Sequence, residues 1–278
     1  MPEYCSPSKK RNKDKDDDKD DVNTCYNTAE LIAIVNAYND YIKKHTLCYR
    51  KQCIKPLPIE IKNNNAYLHD ELKKRLSVFC KSEFCWIDLD FIKNIPNEEL
   101  RRSILYYTFK PKPLSSKTAW LSNFDINHIM TQYEDLYKSD FKFLGAQPSD
   151  FSKIVKVNWD ILKKYKYIGI IFNTDIHSKP GQHWLAIFID NNLKQVEYFD
   201  SLGKMPNKYI LSFLKHFKNY EFTFNKRVHQ KGGTNCGIYS CYFIIERLNG
   251  KTFKDINSKL ISSKMMTNLR TVLFRPKN

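Results

Sequence analysis

Residues 236–248 place Ile238, Tyr239, Cys241, Tyr242, Phe243, Ile244, Ile245 and Leu248 on one helix, and Asn249-Gly250 closes it as a C-terminal stop. A helix apolar on almost every side has no face to give to water, so it must be the buried centre of a larger body. The preceding segments supply strands for that body. Residues 167–172, 184–189, 196–199 and 222–224 are rich in β-branched and aromatic side chains. Between the last two, Pro206 starts a further helix whose Tyr209, Ile210, Phe213, Leu214 and Phe217 form an apolar face, since proline needs no donor in a first turn. The pattern predicts an α+β core, a mixed sheet flanked by helices.

The first hundred residues read differently. Leu31, Ile32, Ile34, Val35, Ala37, Tyr38, Tyr41 and Ile42 recur at helical spacing over 26–45, and a second helix is expected over 66–79. Residues 1–24 carry a Lys/Asp run without apolar periodicity and read as a disordered, solvated tail. The Pro- and Ser-rich stretch from Lys110 to Ser116 is the boundary candidate. The expected organisation is a charged tail (1–24), a helical N-terminal domain (25–112) and an α+β core (113–278).

Charge bears on partners. With 46 Lys+Arg against 30 Asp+Glu the chain carries +16, and the tail nearly cancels, with six basic and seven acidic residues in 1–22, so the excess belongs to the folded part. Such a surface either acquires non-specific affinity for DNA by counterion release or serves solubility alone. No apolar run approaches the ~18 residues of a membrane span and no signal-peptide pattern opens the chain, so neither an integral membrane protein nor a secreted one is expected. Eight cysteines spread thinly through a chain of 278 residues read as reduced thiols of an intracellular, reducing compartment. Cys48/Cys53 and Cys80/Cys85 could be two halves of a zinc site, but their spacing and lack of turn residues argue against it.

A nucleophile needs a base, and the base needs a group that orients it. Cys236 ends the loop Gly232-Gly233-Thr234-Asn235-Cys236-Gly237 at the start of the buried helix, where unpaired amides and the helix dipole favour a thiolate; Gly237 would let substrate approach closely. The plain alternative is a small helix-start residue. His183, in Gly181-Gln182-His183-Trp184, opens a strand, and Asp200 ends the next one, so antiparallel pairing would set the carboxylate beside the imidazole. Gln230 offers an amide N–H to an oxyanion together with the Cys236 backbone. Singly, each has a structural reading.

The order His-Trp, Asp-Ser, then Gln with Cys-Gly six residues later resembles the ubiquitin-like-protein (SUMO) protease superfamily of cysteine peptidases, over roughly residues 117–250. Residues 173–190 and the helical N-terminal extension are similar to its viral branch, which includes the African swine fever virus polyprotein-processing protease and the adenovirus protease. The resemblance implies a papain-like fold in the broad sense and a thiol endopeptidase without metal or organic cofactor. It implies a polypeptide substrate cleaved after Gly-Gly, with Trp120 and Trp184 as aromatic walls over the glycines, although both tryptophans also read as core residues. It favours polyprotein processing during maturation of a large DNA virus, in virion and host cytoplasm, over a SUMO or ubiquitin-like deconjugating activity. An inactive module that binds a ubiquitin-like tail or nucleic acid is disfavoured, because all four catalytic positions are filled. Asn235 departs from the Asp usual before the nucleophile, and the oligomeric state stays open.

Overall fold

The computed structural model describes residues 2–9, 23–49, 52–54 and 56–276, and the chain divides into two units, Met1–Lys110 and Pro111–Asn278. In the first, helix α1 (Thr28–Lys44) begins with a capping box: the Asn27 side chain accepts from Glu30 N at 2.9 Å while the Glu30 carboxylate accepts from Asn27 N at 3.0 Å. Strands β1 (Leu47–Tyr49) and β2 (Gln52–Ile54) form an antiparallel hairpin. Helix α2 (Asn65–Leu76) buries Leu68, Leu72 and Leu76 at four-residue spacing. Trp86, stacked on Tyr26 at 5.8 Å, fills the core.

Two expectations for this unit fail. Residues 2–9 are packed: Cys5 and Ser6 are fully buried, Ser6 N donates to Thr108 O at 3.0 Å, and Lys9 forms an ion pair with buried Glu30. These partners are far along the chain, so no local periodicity announces them. The charged run 10–22 lies outside the described residues. Nor are the cysteines all thiols. Cys5–Cys25 and Cys80–Cys85 are disulfides and Cys53 is disulfide-bonded, which sets aside both the reduced-thiol and the zinc readings there. Among the described residues the free cysteines are Cys236 and Cys241.

The second unit contains α3 (Asn123–Leu136), β3 (Phe141–Gln147), β4 (Tyr167–Asn173), β5 (Trp184–Asp190), β6 (Gln195–Phe199), α4 (Lys208–Leu214), β7 (Glu221–Phe224), α5 (Cys236–Leu248) and α6 (Ser263–Leu273). The sheet order is β3-β4-β5-β6-β7, parallel in the outer pairs and antiparallel in the inner two. Strand β3 escapes the sequence reading because its pattern is weak: only Phe141 and Phe143 are buried. Pro206 does not open α4. Asn207 does, its side chain accepting from Tyr209 N and Ile210 N, both at 3.0 Å, and the proline precedes this cap.

Every residue of β5 is buried because both faces are covered. Trp184, Ala186 and Phe188 join the cluster built around α5, and Leu185, Ile187 and Ile189 join the one containing Ile210 and Phe213 of α4. Helix α5 is buried along nearly its whole length, as its composition demands. Its close approach needs Gly169 on β4, where an added Cβ would lie 2.8 Å from the Phe141 ring and 3.3 Å from Ile244 Cδ1. Among the described residues no helix is long and apolar enough to cross a membrane.

Gly169→Val tests this packing, because valine is the better strand former but has no space. The variant is expected to lose about 1–3 kcal/mol in urea unfolding. A gain in stability would show that strand propensity, not helix approach, governs the position.

Candidate active site

Cys236 is the first residue of α5, and its side chain is buried. Gly237 does not leave room for a ligand as the sequence suggested. A Cβ there would stand 3.0 Å from Leu121 Cβ, so the missing side chain admits Leu121. Asn235 stands at the N-cap position, but its side chain makes no capping bond; its Oδ1 accepts from Arg270 Nε at 2.8 Å.

The antiparallel register pairs Ala186 with Phe199, which brings His183, just before β5, next to Asp200, just after β6. His183 Nε2 donates to Asp200 Oδ1 at 2.6 Å, leaving Nδ1 for the hydrogen bond with Cys236. Asp200 is fixed in turn: its Oδ1 accepts from Leu202 N at 2.8 Å, its N donates to Asn225 Oδ1 at 2.8 Å, and Asn225 Nδ2 returns a bond to Asp200 O at 2.7 Å. Burial would push the imidazole down, but the hydrogen bonds to Asp200 and Cys236, with their charges, outweigh it and push His183 up to about 9. Burial holds the Cys241 thiol, deeper in α5, far above its ordinary range, so it stays protonated.

Gln230 is buried and locked, with Oε1 accepting from Ser201 Oγ at 2.9 Å and Nε2 donating to Gly233 O at 2.9 Å. Trp184 is buried in the core and donates from Nε1 to Leu121 O at 2.9 Å, whereas Trp120 is 53% exposed. Both line a cleft of about 630 Å³ with Leu121, Gln147 and Gly181. Thus the structure joins Cys236, His183 and Asp200 in one series and sets the two tryptophans on one cleft. A thiol, an imidazole and a carboxylate so connected can transfer a proton from sulfur and hold the resulting cation. Among the described residues the grouping of metal-ligand type is Cys5, Cys25 and Glu83, and the disulfide uses both of its sulfurs.

Residues 111–278 match the Ulp1 protease family, C-terminal catalytic domain. The chain belongs to this family. It is 36% identical over 272 residues to protein R355 of Acanthamoeba polyphaga mimivirus, named as a candidate thiol protease, covering 91% of this chain and 89% of that one. It is 28% identical over 258 residues to a cysteine protease of African swine fever virus (isolate Tick/Malawi/Lil 20-1/1983), covering 77% and 93%. A crystal structure of an African swine fever virus protease superposes with a TM-score of 0.59 at 25% identity, over 76% of this chain and 88% of that one. This Ulp1-family chain is therefore a cysteine protease, with the fold expected of it.

Sequence reasoning missed Asn225 and Arg270, and gave Ser201 no role beyond its place in the Asp-Ser pair. Asn225 and Ser201 adjoin recognised elements, β7 and Asp200; Arg270 gives no local signal, standing 35 residues from the Asn235 side chain it holds.

The His183 shift has a definite sign. A folded-state value near 9 against 6.5 for the free side chain means that protonated His183 stabilises the fold fully below pH 6.5, and that this contribution is lost as pH rises through 9. NMR titration is expected to place the His183 midpoint near 9 and to move it down in Asp200→Asn. A midpoint near 6.5 in both proteins would contradict the assigned pairing.

Proposed function

We propose that this protease is a thiol endopeptidase that cleaves polypeptides after Gly-Gly and processes capsid or core polyproteins during maturation of a large DNA virus. The hydrogen-bonded series from Asp200 through His183 to Cys236 carries the reading. The proton shared between Cys236 and His183 resides on the imidazole, which is held up to about 9, and the Cys236 sulfur attacks the scissile carbonyl carbon. The imidazolium, held in orientation by Asp200, then protonates the leaving amine as the C–N bond breaks. Water, deprotonated by the same imidazole, hydrolyses the thioester and restores the thiol. Gln230 commits one amide hydrogen to Gly233 O, and its second is left to stabilise the oxyanion with the Cys236 backbone N–H.

The cleft supports selection of glycine. Trp184, anchored by Leu121 O, and the exposed Trp120 both line it; closed over a substrate, two indoles would exclude a β-carbon by contact rather than by weak hydrophobic preference. The viral origin of the relatives supports a maturation role.

Purified protein should cleave Gly-Gly precursor peptides and spare Gly-Ala ones, and Cys236→Ala should abolish turnover without unfolding. Because Trp120 is exposed, Trp120→Ala should stay folded and relax the preference for glycine. Gln230→Ala should lower kcat by about 10²–10³-fold. Wild-type activity should fall as pH rises through about 9, when His183 loses the proton it must deliver. Equal cleavage of both peptides sinks the Gly-Gly reading, and cleavage confined to SUMO fusions replaces precursor processing with deconjugation.

A further inference from the structure

Arg270, in the last turn of α6, is 5% exposed and spends its guanidinium on three carbonyl-type oxygens. Nε donates to Asn235 Oδ1 at 2.8 Å, Nη1 to Ala119 O at 2.7 Å and Nη2 to Thr234 O at 2.9 Å. None of these acceptors carries a formal charge. A buried cation with neutral partners is costly, because hydrogen bonds replace only part of the hydration it has lost. Burial accordingly pulls the guanidinium below its ordinary range, and the charges that oppose this are those of Cys236 and Asp125. Asp125 is committed elsewhere: its Oδ2 accepts from Ser122 N at 2.8 Å and from Ser122 Oγ at 2.6 Å in the cap of α3.

We propose that Arg270 is a positioning residue that fixes the nucleophile loop and the base of the Trp120 wall together, and supplies a buried positive charge against which Cys236 ionises. This rests on Cys236 being the nucleophile. The three bonds grip the two residues immediately before Cys236 and the residue immediately before Trp120, so one planar fork sets the distance between sulfur and cleft wall. Asn235 now has a physical meaning. It is held by Arg270 on Oδ1 and reaches Thr267 Oγ1 from Nδ2 at 3.4 Å, and as an amide it orients the guanidinium without cancelling its charge. An aspartate there would form an ion pair and leave less field for the thiolate. The charged groups about Cys236 are then His183 with Asp200, from the ends of β5 and β6, and Arg270 from α6, which Asp125 in the first turn of α3 also opposes; Cys241, further along α5, stays neutral.

The test is the pH dependence of iodoacetamide alkylation at Cys236, read by peptide mass mapping on the full chain, which does not require a known substrate. Arg270→Gln keeps hydrogen-bond donors and removes the charge, and should move the alkylation midpoint up by about one pH unit. Arg270→Lys keeps the charge and should titrate close to wild type, with its defect confined to kcat. If Arg270→Gln does not fold, Asn235→Asp, which preserves shape and the bond to Arg270, should give the same upward shift. An unchanged midpoint in a folded Gln or Asp variant overturns the proposal, and so does a Lys variant that titrates with Gln. Wild-type protein in which Cys236 is not selectively labelled overturns the nucleophile assignment itself, a separate outcome.

Discussion

Helix α5 has no polar face, so its first residue cannot move without disturbing the core of the whole unit. Phe243 stacks on Phe199 of β6 at 4.9 Å, Ile244 closes on Gly169 of β4, and Arg247 Nε donates to Glu197 of β6 at 2.6 Å. That last pair is buried on both sides. Desolvation holds the Glu197 carboxyl above its usual range even against the pull of Arg247, so removing either partner would strand a charge in the interior. The position of the Cys236 sulfur is therefore inherited from the apolar packing of a whole helix rather than from a loop.

The imidazole and carboxylate reach that sulfur by sheet register. His183 and Asp200 stand just beyond the ends of paired antiparallel strands, where the ladder is rigid and the side chains are released from it. A slip of one residue between β5 and β6 would turn one of the two away to the opposite face. Leu121 joins this frame to the cleft: its side chain fills the space above Gly237 and its carbonyl takes the Trp184 indole N–H. Leu121 thus links the Trp184 indole to the start of α5, and Arg270 links Ala119 to the loop before it.

The N-terminal unit solves a different problem. Beyond α1 and α2 its helical segments are short, and disulfides at Cys5–Cys25 and Cys80–Cys85 constrain its unfolded chain. Buried Glu30 serves both the cap of α1 and the ion pair with Lys9, which is how a segment without periodicity becomes part of the core.

How much was legible follows from the range of each interaction. Strand-like runs in β4, β5 and β6, the all-round apolar helix α5, and the order of His183, Asp200, Gln230 and Cys236 are local patterns, and they carried the α+β core and the candidate site. Strand β3 was hidden because few of its residues are buried, and the β1–β2 hairpin because strands of three residues are too short to display an alternation. The packing of residues 2–9, the pairing of Cys5 with Cys25, the use of Gly237 for Leu121 and the three bonds of Arg270 belong only to the tertiary structure. Each joins residues whose separation along the chain carries no information about distance, and only the folding of each unit around its own core brings them together.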